Sequence, residues 1–255
     1  MKLVVYTAVF GGYDAIRPPR LLETGVDYVC FSDSAATVPA GWRPGDLPLR
    51  AAALSSASRN RWAKMHPHLL FPDHDASVYV DGNVEVISPL AALARGALEQ
   101  APIAMYDHPF RRCLYEEAAA CARVGLEWFA PIRRQMERYE ADGFPAGFGL
   151  FEANVIVRRH GEAAVVQAMH RWWQEWERGI KRDQLSLTYV LWKEGLRPLS
   201  LGQHDPRFVQ RHFVYRTHRR PWRGLGARLA RRYLNRARML LATGSLARIG
   251  PRTPA

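Results

Sequence analysis

No stretch of this 255-residue chain approaches the ~18 consecutive apolar residues that a membrane-spanning helix needs. Cysteine is also scarce. Cys30, Cys113 and Cys121 are an odd set without Cys-x-x-Cys spacing, which argues against a zinc ribbon or disulfide framework and for reduced thiols in a cytosolic protein. The opening LVVYTAVF is too short and too rich in β-formers for a signal peptide, so a cytoplasmic protein is expected. After Pro206 there is no lysine, aspartate or glutamate, only 13 arginines. The remaining 23 basic residues face 24 acidic ones, so the net charge of +12 belongs to the tail and the body is close to neutral. Internal repeats and low-complexity tracts are absent too. Residues 1–220 read as one α/β domain and residues 221–255 as an arginine-rich, amphipathic C-terminal tail.

With 48% hydrophobic and 24% charged residues, the chain has enough apolar content for a sizeable core. Its most informative stretch is SVYVDGNVEV (77–86). Val78, Tyr79 and Val80 suit a strand buried on both faces of a parallel sheet. Gly82 lets the backbone turn and approach a ligand closely. Asp81 and Asn83 are left at the strand's carboxyl end, where open α/β sheets bind ligands, and paired hard oxygens there suit Mg²⁺ or Mn²⁺ holding a diphosphate. A plain Asp-Gly turn without chemistry is the competing reading.

In chain order, Lys2–Phe10 reads as a strand opening into Gly11-Gly12-Tyr13-Asp14, a nucleotide-site candidate that lacks the full dinucleotide fingerprint. Asp27–Ser32 is a second strand with Asp33 at its end, and residues 34–50 a Pro/Gly loop. Leu54–Leu70 is predicted as one helix. On it Arg61 and Lys64 share a face and Arg59 points elsewhere, as a solvated face or as a phosphate clamp. Helices over Pro89–Gln100, Leu114–Val124 and Pro131–Ala141 surround a strand at Ile103–Tyr106, and Gly143–Gly149 is a loop near a ligand. Leu150–Arg158 is a strand with Glu152 and Asn154 on one side. Ala163–Arg178 is a helix whose Trp172, Trp173 and Trp176 fit a core better than a sugar platform. Asp183 either caps the next helix or does chemistry. Leu199–Val214, with His204, Asp205 and His212, looks irregular. From Pro221 a basic helix carries the stripe Leu225, Leu229, Tyr233, Ala237 and Leu240–Leu241. Such a helix suits an anionic membrane surface at the inner face, ahead of nucleic acid or a simple cap, because the body shows no nucleic-acid module.

Seven blocks in this order resemble the TOD/MUCI glycosyltransferase-like domain family: YTAVFGGYD (6–14), YVCFSD (28–33), RNRWAKMHPHLLFP (59–72), SVYVDGNVEV (77–86), HPFRRCLYEE (108–117), GLFEANVIVRRH (149–160) and RDQLSLTYVLW (182–192). The likeness spans residues 3–220. It implies a GT-A-like (Rossmann-like) α/β fold, a mixed and mostly parallel sheet flanked by helices with the basic C-terminal helix appended, and a nucleotide-sugar transferase activity. By resemblance Asp81 stands for the first aspartate of the Asp-x-Asp turn of GT-A enzymes, and Asn83 replaces the second with an uncharged oxygen. A further metal ligand is sought among His204, His212 and His218, with His212 taken, and Asp183-Gln184 resembles the segment that opens a helix beside the sugar.

The implied reaction moves a sugar from a nucleoside-diphosphate donor to a hydroxyl of a glycan or glycolipid acceptor, in cell-surface polysaccharide or glycoconjugate synthesis. Thr7, Gly11, Gly12 and Asp33 would meet the nucleoside. Asp81, Asn83 and His212 would hold Mn²⁺ or Mg²⁺, and Arg59, Arg61 and Lys64 would add positive charge. Gln184 would sit beside the sugar, and Asp183 or Glu152 would take the acceptor's proton if configuration inverts. The alternatives are a metal-dependent hydrolase and a catalytically inactive protein that binds nucleotide, sugar or an anionic surface.

Overall fold

The computed structural model describes residues 1–218, 225–246 and 249–250. The remainder of the expected tail domain lies outside the described residues. Its strands are β1 (Leu3–Val9), β2 (Val26–Ser32), β3 (Arg43–Gly45), β4 (Ala76–Val80), β5 (Val84–Val86), β6 (Ile103–Asp107), β7 (Phe151–Arg158), β8 (Leu199–Ser200) and β9 (Phe213–Tyr215). Its helices are α1 (Leu49–Ala52), α2 (Ser56–Met65), α3 (Pro67–Leu70), α4 (Ala91–Leu98), α5 (Leu114–Arg123), α6 (Phe129–Ala141), α7 (Ala163–Arg178), α8 (Gln184–Lys193) and α9 (Leu225–Thr243).

Seven strands form one sheet in the order β3-β2-β1-β4-β7-β6-β8. β7 alone runs against its neighbours. This is the mixed, mostly parallel sheet flanked by helices that the sequence implies. The order runs outward from β1 to β2 and β3, then returns to place β4 on the other side, so β1 and β4 flank a topological switch point. At that edge lie the carboxyl ends of β1, β2, β4 and β6 and, because β7 is reversed, its amino end with Glu152. One sheet face is covered by a core that includes Tyr6, Tyr79, Tyr115, Trp172 and Trp176, the other by one that includes Val5, Val78, Leu90 and Phe213. Trp172 and Trp176 are therefore core residues, as their helical spacing suggests.

Three local expectations are corrected, and one strand, β5, is added after the Asp81 turn. The single helix over Leu54–Leu70 is broken: Ser55 caps α2 by accepting from Ser58 N at 3.3 Å, and Pro67, unable to continue the hydrogen-bond ladder, forces His66 out of helical geometry at φ −125°. The loop over 34–50 contributes β3 to the sheet edge. The stretch 77–86 is two strands, since after Gly82 the chain leaves the main sheet and β5 pairs with β9. The irregular segment 199–214 is ordered by Asp205. Its buried carboxylate accepts from the backbone N–H of Arg211, His212 and Phe213 at 2.9, 2.9 and 2.8 Å.

Three backbone donors on one carboxylate make this clasp the anchor of β9. Asp205→Ala leaves them without a partner and is expected to cost roughly 2–4 kcal/mol, read as a lower midpoint in denaturant at unchanged slope.

Candidate active site

The site is built where β1, β2 and β4 end. β1 gives way to a turn in which Gly11 and Gly12 are both left-handed, at φ 68° and 59°. Asp33, following β2, accepts from Gly11 N at 2.5 Å and pairs with Arg59 at 3.1 Å. The Arg59 guanidinium also lies 4.7 Å from the centre of the Phe10 ring. Asp33, Gly11, Phe10 and Arg59 thus form one polar and aromatic corner, and the Asp33 side chain remains 42% exposed.

The Asp81 turn packs against this corner. A Cβ on Gly82 would collide with the Val9 side chain, so only glycine lets the turn sit against the end of β1. Beyond it, His218 Nδ1 lies 2.9 Å from Asp14 Oδ1, and that hydrogen bond raises the imidazole above its ordinary pKa, with the Asp81 charge adding to the shift.

At the centre stands Lys64. Its side chain is 1% exposed, and its ammonium donates to Asp183 at 2.7 Å and to Asp81 at 3.2 Å. Tyr79 OH donates to the same Asp81 oxygen at 2.9 Å, and burial together with the Asp81 charge keeps that phenol protonated by pushing its pKa well up. Arg61 pairs with Asp183 at 3.1 Å. Burial alone would raise the Asp183 carboxyl, but the charges of Arg61 and Lys64 outweigh it and hold the group well below the ordinary range. Asp183 makes no side-chain hydrogen bond to the helix start, so its carboxylate serves this cluster rather than capping α8.

The other expected site residues fall in different places. Thr7 is 2% exposed within β1, on the sheet face of Leu3 and Val5, and does not reach the corner. Gln184 uses its amide to join α8 to β7, accepting from Ala153 N at 3.0 Å and donating to the Phe151 carbonyl. Glu152 lies at the same sheet edge, 2.8 Å from His204 Nε2 and 3.2 Å from Arg207. His212 is not at the Asp81 turn. In the β5–β9 ladder Arg216 faces Asn83 while His212 faces Ile87, about 13 Å further along at ~3.3 Å per residue. Its Nδ1 meets Ser88 at 2.8 Å.

The expected metal set is therefore not assembled. Asp81 already neutralises a buried ammonium, and the Asn83 amide nitrogen donates to the Arg216 carbonyl at 3.0 Å. Among the described residues no three His, Cys, Asp or Glu side chains stand together as metal ligands. The residues present do not fit Mn²⁺ or Mg²⁺.

Next to Glu152 and His204 opens a cleft of about 1070 Å³, lined on one side by His108, Phe110 and Arg112 and on the other by Gly147, Gly149 and Phe208. Phe110 and Phe208 are 66% and 49% exposed and meet edge to face with ring centres 6.3 Å apart. The glycine loop over 143–149 forms its wall.

The model of the TOD1/MUCI70 glycosyltransferase-like domain matches residues 53–203, more than half the chain. The chain belongs to this family. Among solved structures, it is similar to galactosyltransferase LgtC in complex with donor and acceptor sugar analogues, at 15% identity and a TM-score of 0.46 over 80% of this chain and 74% of that one. An active-site mutant of LgtC matches equally, at 15% identity and 0.46 over 80% and 73%. No curated protein matches. The family match begins after the Gly11–Gly12 turn and ends before β9, yet it contains Arg59, Arg61, Lys64, Asp81, Glu152 and Asp183.

Tyr79 and Arg207 join the site, and Asp14, at the end of the Gly11–Gly12 turn, enters it through His218. Asp14 had a signal, as the acid closing the Gly-Gly turn. Arg207 had none, because the segment carrying it has no periodicity.

Removing the Lys64 ammonium leaves Asp183 buried beside Arg61 alone, so Lys64→Met is expected to lose roughly 3–5 kcal/mol of stability. The pH dependence has a defined sign. A carboxyl held below its unfolded value of 3.8 contributes stability above that pH and loses it as pH falls through the lower folded value. Acid unfolding monitored by circular dichroism is expected to start at higher pH in Lys64→Met than in the wild type.

Proposed function

We propose that this protein transfers a sugar from a nucleoside diphosphate to an acceptor hydroxyl. The observation that carries the reading is the convergence of the Asp33–Gly11–Arg59 corner and the Asp81–Lys64–Asp183 cluster at the switch point of the sheet, within a glycosyltransferase-like domain. The corner supplies what a nucleoside and its phosphates need: a carboxylate for ribose hydroxyls, a guanidinium for phosphate oxygens, and two glycines that let the backbone come close.

In this reading the bond from the sugar's anomeric carbon to the diphosphate breaks, and the acceptor oxygen forms a new bond to that carbon. Arg59 and Arg61 bear the charge gathering on the leaving diphosphate, being the cations of α2 with exposed surface. Lys64 is too deeply buried for that work and instead fixes the two carboxylates. Asp183, held ionised by Arg61 and Lys64, faces the positive charge that develops on the sugar ring. The acceptor enters by the cleft, where exposed Phe110 and Phe208 offer apolar faces to a glycan, and Glu152 beside His204 takes the hydroxyl proton. A hydrolase built on Asp81, Asp183 and histidines has no donor set to support it among the described residues.

Thermal unfolding in a panel of nucleoside diphosphates and nucleotide sugars tests the proposal. At ten times its dissociation constant, the right nucleotide should stabilise the fold by about 1.4 kcal/mol, with chelator as well as with Mn²⁺. Arg59→Ala should abolish the shift while lowering basal stability by only about 1 kcal/mol, the cost of its ion pair with Asp33 and its contact with Phe10. No shift with any nucleotide contradicts the transferase reading, and a shift seen only with Mn²⁺ contradicts its metal-free form.

A further inference from the structure

Helix α9 is attached to the domain by an unexpected face. Asn235, fully buried, accepts from Phe129 N at 2.9 Å and donates to the carbonyls of Ala122 and Glu127 at 2.8 and 2.7 Å. Met239 enters the core one turn further on. The α9 backbone crosses Gly125 so closely that a Cβ there would collide with the Arg228 carbonyl and lie 2.8 Å from Arg232 N. The helix is thus docked on α5 and α6 through an amide, a methionine and a glycine contact, and its leucines take no part.

The leucines face outward. At 100° per residue, Leu225, Leu229, Tyr233 and Leu240 lie within about 80° of one another, and this stripe is centred roughly 100° from the Asn235–Met239 face. Their exposures are 39, 40, 67 and 50%, and Leu234 and Leu241 extend the patch at 49 and 88%. Ala230 and Ala237 fill the space between, leaving Arg236 as the charge inside this arc. Arg232 forms one border and Arg238, 6.0 Å from the Trp128 ring centre, the other. Neither Arg232 nor Arg236 has an acidic partner among the described residues, and the sequence after Pro206 contains no acid to provide one.

We infer that this outward face of α9 is a docking surface for an anionic lipid bilayer. An apolar stripe edged by unpaired arginines matches a membrane interface in both respects: leucine and tyrosine side chains enter the acyl boundary while guanidinium groups meet lipid phosphates. The absence of acidic residues fits a negatively charged partner and gives a second copy of the same surface nothing to pair with. No described helix is long and apolar enough to cross a membrane, so attachment would be at the surface. α9 is seated on the carboxyl end of α5 and the turn after it, at Ala122 and Gly125. This attachment stands whether or not the site transfers sugar.

Co-sedimentation of the full chain with vesicles tests it, comparing pure phosphatidylcholine with phosphatidylcholine containing 30% phosphatidylglycerol, where the percentage is about that of a strongly anionic membrane. Binding is expected to the anionic vesicles and to fall with salt. The surface variant Leu229→Glu/Leu240→Glu should weaken it by roughly tenfold or more at unchanged thermal midpoint, and Arg232→Gln/Arg236→Gln, which removes the charge and keeps the packed aliphatic stems, should weaken it by roughly tenfold. Equal binding to both vesicles, or full binding by both variants, overturns the inference. So does a salt-stable dimer in light scattering that Leu229→Glu/Leu240→Glu dissociates, since the stripe would then cover itself.

Discussion

The site depends on one buried cation. Lys64 rises from α2 into a space closed to solvent, between the end of β4 and the start of α8, where water cannot solvate it. An ammonium in that position is tolerated only when charge and hydrogen bonds match it, and Asp81 and Asp183 provide both. The three groups come from segments far apart in the chain, so folding brings them together or leaves each of them costly. The ion cluster therefore fixes the position of α2 and α8 against the sheet and the ionisation of Asp183. Arg158, also buried, extends the arrangement below: it donates to the Lys64 carbonyl at 2.6 Å and to Tyr6 OH. No carboxylate pairs with Arg158 in the hydrogen bonds described, and carbonyl, hydroxyl and sulfur acceptors surround it instead.

Much of the architecture was legible because it follows from period and composition. The largely apolar runs at 3–9, 77–80 and 103–106 read as strands, and Ala163–Arg178 shows its helical stripe plainly. What escaped was local or long-range. Pro67 cuts a helix whose hydrophobic pattern continues through it. β8 and β9 are too short to show a period, and β9 is held by Asp205, whose three backbone contacts no sequence pattern announces. Arg61 and Lys64 were correctly placed on one face, but neither the solvated face nor the phosphate clamp describes Lys64, because burial depends on what α7 and α8 lay over it. His212 looked as good as His218 in a string of letters. The ladder register, set by Asn83 and Arg216, separates them.

The tail shows the same limit in another form. Its apolar stripe was visible in sequence, and the ordinary inference from such a stripe is that it faces the core. Here the core-facing contacts are Asn235 and Met239, which carry no periodic signal, and the visible stripe is free.

Lys64 and Asp183 form one charge-matched unit rather than two independent buried residues. A double-mutant cycle on unfolding free energy, with Lys64→Met, Asp183→Asn and the pair, measures this directly. The expected coupling is about 2 kcal/mol or more, with the double variant more stable than Lys64→Met alone because the stranded carboxylate is gone. Additivity within about 0.5 kcal/mol would contradict it, and would mean that the two side chains stand together without depending on one another.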